Sequence, residues 1–196
     1  MVTHFAQASM VENGQRTCSS LLLEAPIPTP TPMPTPTTLP IASTKRDSYK
    51  DLSDLGSVHG ENGVYSFLLQ NYVEAIDELT KAIDYTPDES ALYESVLYYY
   101  RGLAKLNLGQ NGLWDFNQSI RLDPLNSIGY YGRSRHYLDF ENDPHRALQD
   151  ITEAIRLKPD FNVADLQRGN VNSKLGQHDE AKADKDKACL LANEFC

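Results

Sequence analysis

The chain has 196 residues, a net charge of −9 and 40% hydrophobic residues, enough for one ordinary domain if the apolar positions are concentrated in one part. Eight of the nine net negative charges fall after residue 56, which disfavours a phosphate-binding surface, so we expect no nucleic-acid partner. No stretch approaches the roughly 18 consecutive apolar residues of a membrane span, and residues 1–24 lack a charged start followed by an apolar core, so neither a transmembrane segment nor an export signal is predicted.

Residues 1 to about 45 show no hydrophobic periodicity, and the segment from Pro26 to Pro40 alternates proline with threonine and holds seven of the eleven prolines. Such a composition cannot pack a core and favours an extended, polyproline-like spacer. We therefore predict a disordered tail over residues 1–56 that contains a Pro/Thr-rich linker. Tethers of this composition are common on the outside of cells, so the sequence leaves both a cytoplasmic and an extracytoplasmic location open.

A recurring pattern of small residues, acids and helix stops organises the rest of the chain. Two small residues seven positions apart share one face of a helix and let another helix come close. The four such pairs are Ala75/Ala82, Gly112/Ser119, Ala147/Ala154 and Ala181/Ala188. The acids three residues after the first member of each pair are Glu78, Asp115, Asp150 and Asp184. The stops, at Pro87, Pro124, Pro159 and Asn193, are 37, 35 and 34 residues apart, a period typical of helical solenoids with two helices per repeat.

The first two repeats follow from the apolar spacing. A first helix is predicted from about Ser57, a turn at Gln70 and Asn71, and a second helix from Tyr72 to Tyr85. The second repeat begins with a long helix over about 89–108, and its partner helix is short. Each of these repeats is therefore a helical hairpin.

The last two repeats continue the same arrangement. In the third, Asp143 followed by Pro144 predicts an N-cap and a proline in the first helical turn. The fourth is expected to have helices over 160–175 and 178–191, the second of them polar enough to close the stack. The repeats are thus placed at about 57–89, 90–126, 127–161 and 162–196.

At these residues the chain resembles the tetratricopeptide repeat family. An aromatic residue stands three positions before the arginine that precedes a glycine or serine, in Tyr98-Tyr99-Tyr100-Arg101-Gly102 and in Tyr130-Tyr131-Gly132-Arg133-Ser134, and Asp165 replaces the aromatic in the fourth copy. Gly109 and Gly176 match the turn glycine. The resemblance covers about residues 57–193 and implies an all-α, right-handed solenoid of four helix-turn-helix repeats behind the tail.

Charged residues recur in register with these motifs. Arg101, Arg133 and Arg168 stand just before the glycine or serine of the first helices, and the four acids stand on the second helices. Their repetition predicts arginine–carboxylate pairs between packed helices. We favour a structural role over ligand contact, because a ligand would not require the same pair in every repeat.

The sequence contains none of the common motifs of catalysis or metal binding. There is no His-Glu-x-x-His sequence, no cysteine spacing for zinc and no phosphate loop. Asp139, Glu141, Asn142, Asp143 and His145 crowd one turn, but they lack the glycine and distal glutamate of a calcium loop, which favours a solvated turn. We therefore predict no catalytic residues, no metal, no cofactor and no enzymatic activity.

By the family's usual geometry, the first helices line a concave groove that holds an extended or helical peptide. The residues implied for this groove are Tyr99, Leu103, Tyr131, Arg135, Asn170 and Lys174. The function predicted is a non-catalytic scaffold or adaptor that binds a peptide or protein segment. The alternative is self-assembly, with the apolar first repeat stacking on another copy.

Overall fold

The structure, a computed structural model, describes residues 45–86 and 90–192, with side chains over 54–86 and 90–190. Every regular element in these stretches is helical, and together they form the predicted all-α, right-handed solenoid. The helices are α1 (Lys45–Leu68), α2 (Tyr72–Tyr85), α3 (Ala91–Asn107), α4 (Leu113–Leu122), α5 (Ser127–Arg135), α6 (Pro144–Leu157), α7 (Asn162–Lys174) and α8 (His178–Ala192). Each helix packs against the next, and α3 also contacts α1 and α5, so the first helices of the first three repeats form one layer.

Most predicted helix boundaries are reproduced, including the long α3 and its short partner α4. Helix α1 differs, because it begins at Lys45 and not near Ser57. Its first turns are polar and carry no regular apolar stripe, so hydrophobic periodicity could not reveal them. The division between tail and repeats at residue 56 stays a prediction, and the predicted disordered tail before Lys45 lies outside the described residues, as do the stops at Pro87 and Asn193.

Small residues allow close helix contacts, as the sequence predicts. Ala75, Ala147 and Ser119 are fully buried. A Cβ atom added to Gly112 would lie 2.6 Å from the carbonyl oxygen of Gly102, far inside van der Waals contact. The small positions are therefore where the two helices of a hairpin approach each other most closely.

The predicted N-cap of α6 is confirmed. The Asp143 carboxylate accepts hydrogen bonds from the backbone N–H groups of His145 and Arg146, and Pro144 occupies the first turn. The cap satisfies two donors that would otherwise lack helical partners. It also fixes the turn that separates α5 from α6.

A residue with positive φ stands in each turn within a hairpin. Gly109 and Gly176 have φ values of 69° and 76°, and Gln70 and Asn142 have 61° and 52°. Glycine adopts this conformation without steric cost, whereas an L side chain there costs about 1 kcal/mol. Gln70 is therefore a strained residue at a position that favours glycine.

Replacing Gln70 with glycine is expected to raise the free energy of unfolding by about 0.5–1 kcal/mol, because it relieves this strain. The reverse exchange at Gly109 is the matched control, since no atom lies within 4 Å of its added Cβ and only the φ value matters. Gly109→Gln should lower stability by about 1 kcal/mol. Urea denaturation measures both. A loss of stability in Gln70→Gly would show that Gln70 is not strained.

Candidate functional site

The residues predicted for the groove come from α3, α5 and α7, and the structure divides them into buried and accessible members. Tyr99 and Leu103 of α3 are only 8% and 4% exposed and pack with Phe116. Tyr131 and Arg135 of α5 are partly buried, whereas Asn170 and Lys174 of α7 are exposed. Tyr99 and Leu103 are therefore covered by neighbouring side chains, and the other four residues are partly or largely accessible to solvent.

An aromatic row, not recognised as a unit from the sequence, follows the first helices. Its members are Tyr72, Phe67, Tyr100, Tyr99, Tyr131 and Phe161. Ring centroids are 5.6 Å apart for Phe67 and Tyr72, 5.4 Å for Phe67 and Tyr100, and 5.1 Å for Tyr99 and Tyr100. Tyr131 packs against the cluster of Tyr99 and lies 5.4 Å from Phe161. The row thus extends from the first repeat to the start of α7.

The tyrosine hydroxyls in the middle of this row stay protonated. Burial raises the pKa of Tyr99, and the neighbouring Tyr131 raises it further. Burial also raises the pKa of Tyr131, although the Arg135 guanidinium, which hydrogen-bonds to its hydroxyl, acts in the opposite direction. These two phenols are therefore neutral polar groups at neutral pH.

Arg135 lies one helical turn beyond Tyr131 of the aromatic row. Its guanidinium Nε lies 3.6 Å from an Asp139 carboxylate oxygen, too far for a strong hydrogen bond. Within the described part of the chain, Asn170 and Lys174 form no side-chain hydrogen bond or ion pair, and they lie one helical turn apart on α7. Both side chains are exposed to solvent.

The π-helical turn that continues α5 over His136–Phe140 is the second feature not predicted. Glu141 N–H donates to the His136 carbonyl at 3.2 Å, five residues back, and the turn carries Asp139 next to Arg135. Such turns are frequent at functional sites. A signal exists in the sequence, because Ser134 and Asn142 are eight residues apart, whereas Gly102 and Gly109 are seven apart. The extra residue is absorbed by the π turn.

The crowded acidic turn is held by its own hydrogen bonds. Arg146 donates to the carboxylates of both Glu141 and Asp143, and Glu141 also contacts His136 Nε2 at 3.2 Å. His136 is fully buried and stacks on Phe140, and its burial lowers its pKa. Across the described residues, no group of three or more His, Cys, Asp or Glu side chains is arranged to hold a metal ion.

The predicted arginine–carboxylate pairs are confirmed in three repeats. Arg101 Nε donates to Asp115 at 2.8 Å, and Arg168 Nε donates to Asp184 at 2.9 Å. Arg133 binds both carboxylate oxygens of Asp150, at 2.7 and 2.8 Å. Each pair joins the two helices of one hairpin, which supports the structural role.

The first repeat has a different pair. His59 Nδ1 lies 2.7 Å from Glu78, and Lys81 binds the same carboxylate at 2.9 Å. These two partners lower the pKa of Glu78 against the opposing effect of its burial, which is the largest single contribution. The acid position therefore keeps its linking role even where arginine is absent.

Similarity to curated proteins covers only part of the chain. Human DnaJ homolog subfamily C member 3 is 40% identical over 74 residues, which are 38% of this chain and 14% of that protein. The chain therefore matches a small part of this relative's length. No family model matches the chain.

Solved structures extend the likeness to most of the chain. A thermophilic TPR protein of Thermus thermophilus has a TM-score of 0.57 at 22% identity, over 73% of this chain and 74% of that protein. The OM64 TPR domain of Arabidopsis has a TM-score of 0.54 at 19% identity, over 62% of this chain and 98% of that domain. By its fold, the chain is a tetratricopeptide-type solenoid, as its residues predict. No helix in the described part of the chain is both long and apolar enough to cross a membrane.

Proposed function

We propose that the chain is a non-catalytic protein-interaction scaffold that binds a peptide or protein segment along α3, α5 and α7. The observation that carries this proposal is the aromatic row, which runs across successive repeats and has Arg135 one helical turn beyond its member Tyr131. A peptide lying along the row would contact flat, rigid rings whose ordering costs little entropy. The described chain offers no competing constellation of metal ligands.

The accessible polar groups define the chemistry of the partner. The Arg135 side chain is 26% exposed, and its contact with Asp139 is long, so part of its guanidinium remains free to bind a carboxylate. Asn170 and Lys174 add an amide and an ammonium group on α7. We therefore propose a segment with one aromatic or aliphatic anchor and one acidic anchor.

Asp139 and the net charge of −9 work against this acidic anchor. Salt screens the long-range repulsion between an acidic segment and this chain, and it also weakens a direct carboxylate–guanidinium contact. The contact is short-ranged and partly desolvated, so we expect it to dominate for a segment that carries a single acidic residue. Highly acidic segments should bind poorly.

The test begins with a phage-displayed library of random dodecapeptides selected on the full chain. A peptide recovered from it is then titrated, by fluorescence anisotropy, against the chain carrying Arg135→Ala and Lys174→Ala together. We expect affinity to fall roughly 10- to 100-fold, because two charged contacts are lost, and its salt dependence to flatten.

The matched control carries Arg156→Ala and Lys182→Ala. These two exposed cations lie on α6 and α8, so the control changes the net charge equally. It should leave affinity within about twofold. Equal losses in both double variants would show that net charge alone matters, and a selection that enriches no peptide would also sink the proposal.

A further inference from the structure

Helix α1 has an apolar outer face that the rest of the described chain leaves exposed. Leu55, Val58, Tyr65 and Leu69 are 38–52% exposed, and Leu68 beside them is 67% exposed. Leu55, Val58, Asn62, Tyr65 and Leu69 follow spacings of three, four, three and four residues, which form one stripe along α1 that ends at Leu69 in the turn just after it. We call Leu55, Val58, Asn62, Tyr65 and Leu69 the α1 seam.

The opposite face of α1 already has its partner. An added Cβ on Gly63 would lie 2.6 Å from Leu79 of α2, and one on Gly56 would lie 3.3 Å from Tyr85 and Thr86 at the end of α2. Because Gly56 lies beside the end of α2, residues 45–55 of α1 extend about 16 Å beyond that end. A helical extension of this kind is stable mainly when it packs against another element.

We propose that the α1 seam is an interface between two copies of this chain, and that the same seam serves both copies. The stripe carries no charge, so a two-fold arrangement places apolar side chains against apolar side chains and closes as a dimer. A head-to-tail stack would instead set the seam on α8, whose exposed face carries the Lys182–Asp186 pair, Asp179 and Glu180. That contact would desolvate charges without compensation.

Asn62 and the flanking acids determine the properties of such a dimer. Asn62 is the middle residue of the seam, so it lies near its counterpart for either direction of the second helix, and paired amides there would fix the register. Asp54 and Glu61 border the seam, and each copy has a net charge of −9. Repulsion therefore opposes association at low salt, and added salt should tighten the dimer.

The seam is small for a permanent interface. A standard interface buries about 800 Å² per partner, more than five partly exposed side chains provide, so we expect a dissociation constant in the micromolar range. Sedimentation equilibrium of the full chain over a range of concentrations measures it. The mass should rise from 22.0 kDa toward twice that value, and more steeply at high salt.

Substituting Val58→Ser and Tyr65→Ser together should weaken the dimer more than tenfold, because it removes apolar area without changing charge. Leu125→Ser is the control, since Leu125 is 75% exposed but lies in the turn between the second and third repeats. Circular dichroism should show unchanged helix content in both. A peptide recovered from the dodecapeptide library should not compete with dimerisation, because it binds along α3, α5 and α7 and not on the α1 seam. Failure of the dimer proposal would therefore leave the proposed function untouched, and the reverse also holds.

Two outcomes would overturn the proposal. A mass of 22.0 kDa at every concentration would exclude a dimer. A dimer that survives the double serine substitution would place the interface on a different surface.

Discussion

Replacing Phe116 with alanine should lower the free energy of unfolding by about 3–5 kcal/mol. Phe116 is fully buried, and its ring lies where Cβ atoms added to Gly102 and Gly132 would come within 2.8 and 2.4 Å of it. The ring therefore occupies space left by glycines on α3 and α5 and joins the second repeat to the third. Little else can fill that space, so the cavity term should be large.

Trp114→Ala is the control for this prediction. Trp114 is two residues away on the same helix but is 56% exposed, so its truncation should cost less than about 1 kcal/mol. Urea denaturation of both variants gives the comparison. If Phe116→Ala and Trp114→Ala shift the midpoint equally, the second and third repeats do not depend on this ring.

Replacing Arg133 with alanine should cost roughly 1–3 kcal/mol, the second largest effect that we expect. The guanidinium holds the Asp150 carboxylate through two hydrogen bonds and also donates to the Asn117 amide oxygen at 2.9 Å, so it joins α4, α5 and α6. The Asp150 side chain is only 10% exposed. Its charge would lose its main partner with little water to replace it.

The double variant Arg133→Ala/Asp150→Ala separates pairing from packing. It should cost less than the sum of the two single variants, because neither charge is then left without its partner. Arg156→Ala serves as a surface control, since its pair with Glu153 is exposed and should contribute less than about 1 kcal/mol. Strict additivity in the cycle would contradict a coupled pair.

The fold could be predicted because its signals are local and repeated. The small pairs and the acids recur in one register, and the structure places Ala75, Ala147 and Ser119 at buried helix contacts. Arginine pairing followed from the same periodicity. The start of α1 and the π turn after Arg135 could not be obtained in this way, since one lacks an apolar stripe and the other shifts the register by one residue.

The candidate site was predictable in outline only. Family geometry placed Tyr99 and Leu103 on the groove, but their burial depends on Phe116, which reaches them from the neighbouring helix. The place of Phe161 in the aromatic row also depends on packing between repeats, because Phe161 lies at the start of the fourth repeat and contacts Tyr131 of the third. Spacing within one helix carries no information about such contacts.

Site-specific photo-crosslinking tests the proposal that a partner lies along the first helices. A photoreactive amino acid is introduced at Asn170, on the proposed surface, and in a separate variant at Gln149, an exposed residue of α6 on the layer of second helices. Each variant is irradiated with a peptide recovered from the dodecapeptide library. We predict a covalent adduct at position 170 and little or none at position 149. Equal crosslinking at both positions, or crosslinking at 149 alone, would show that the partner does not lie along the first helices.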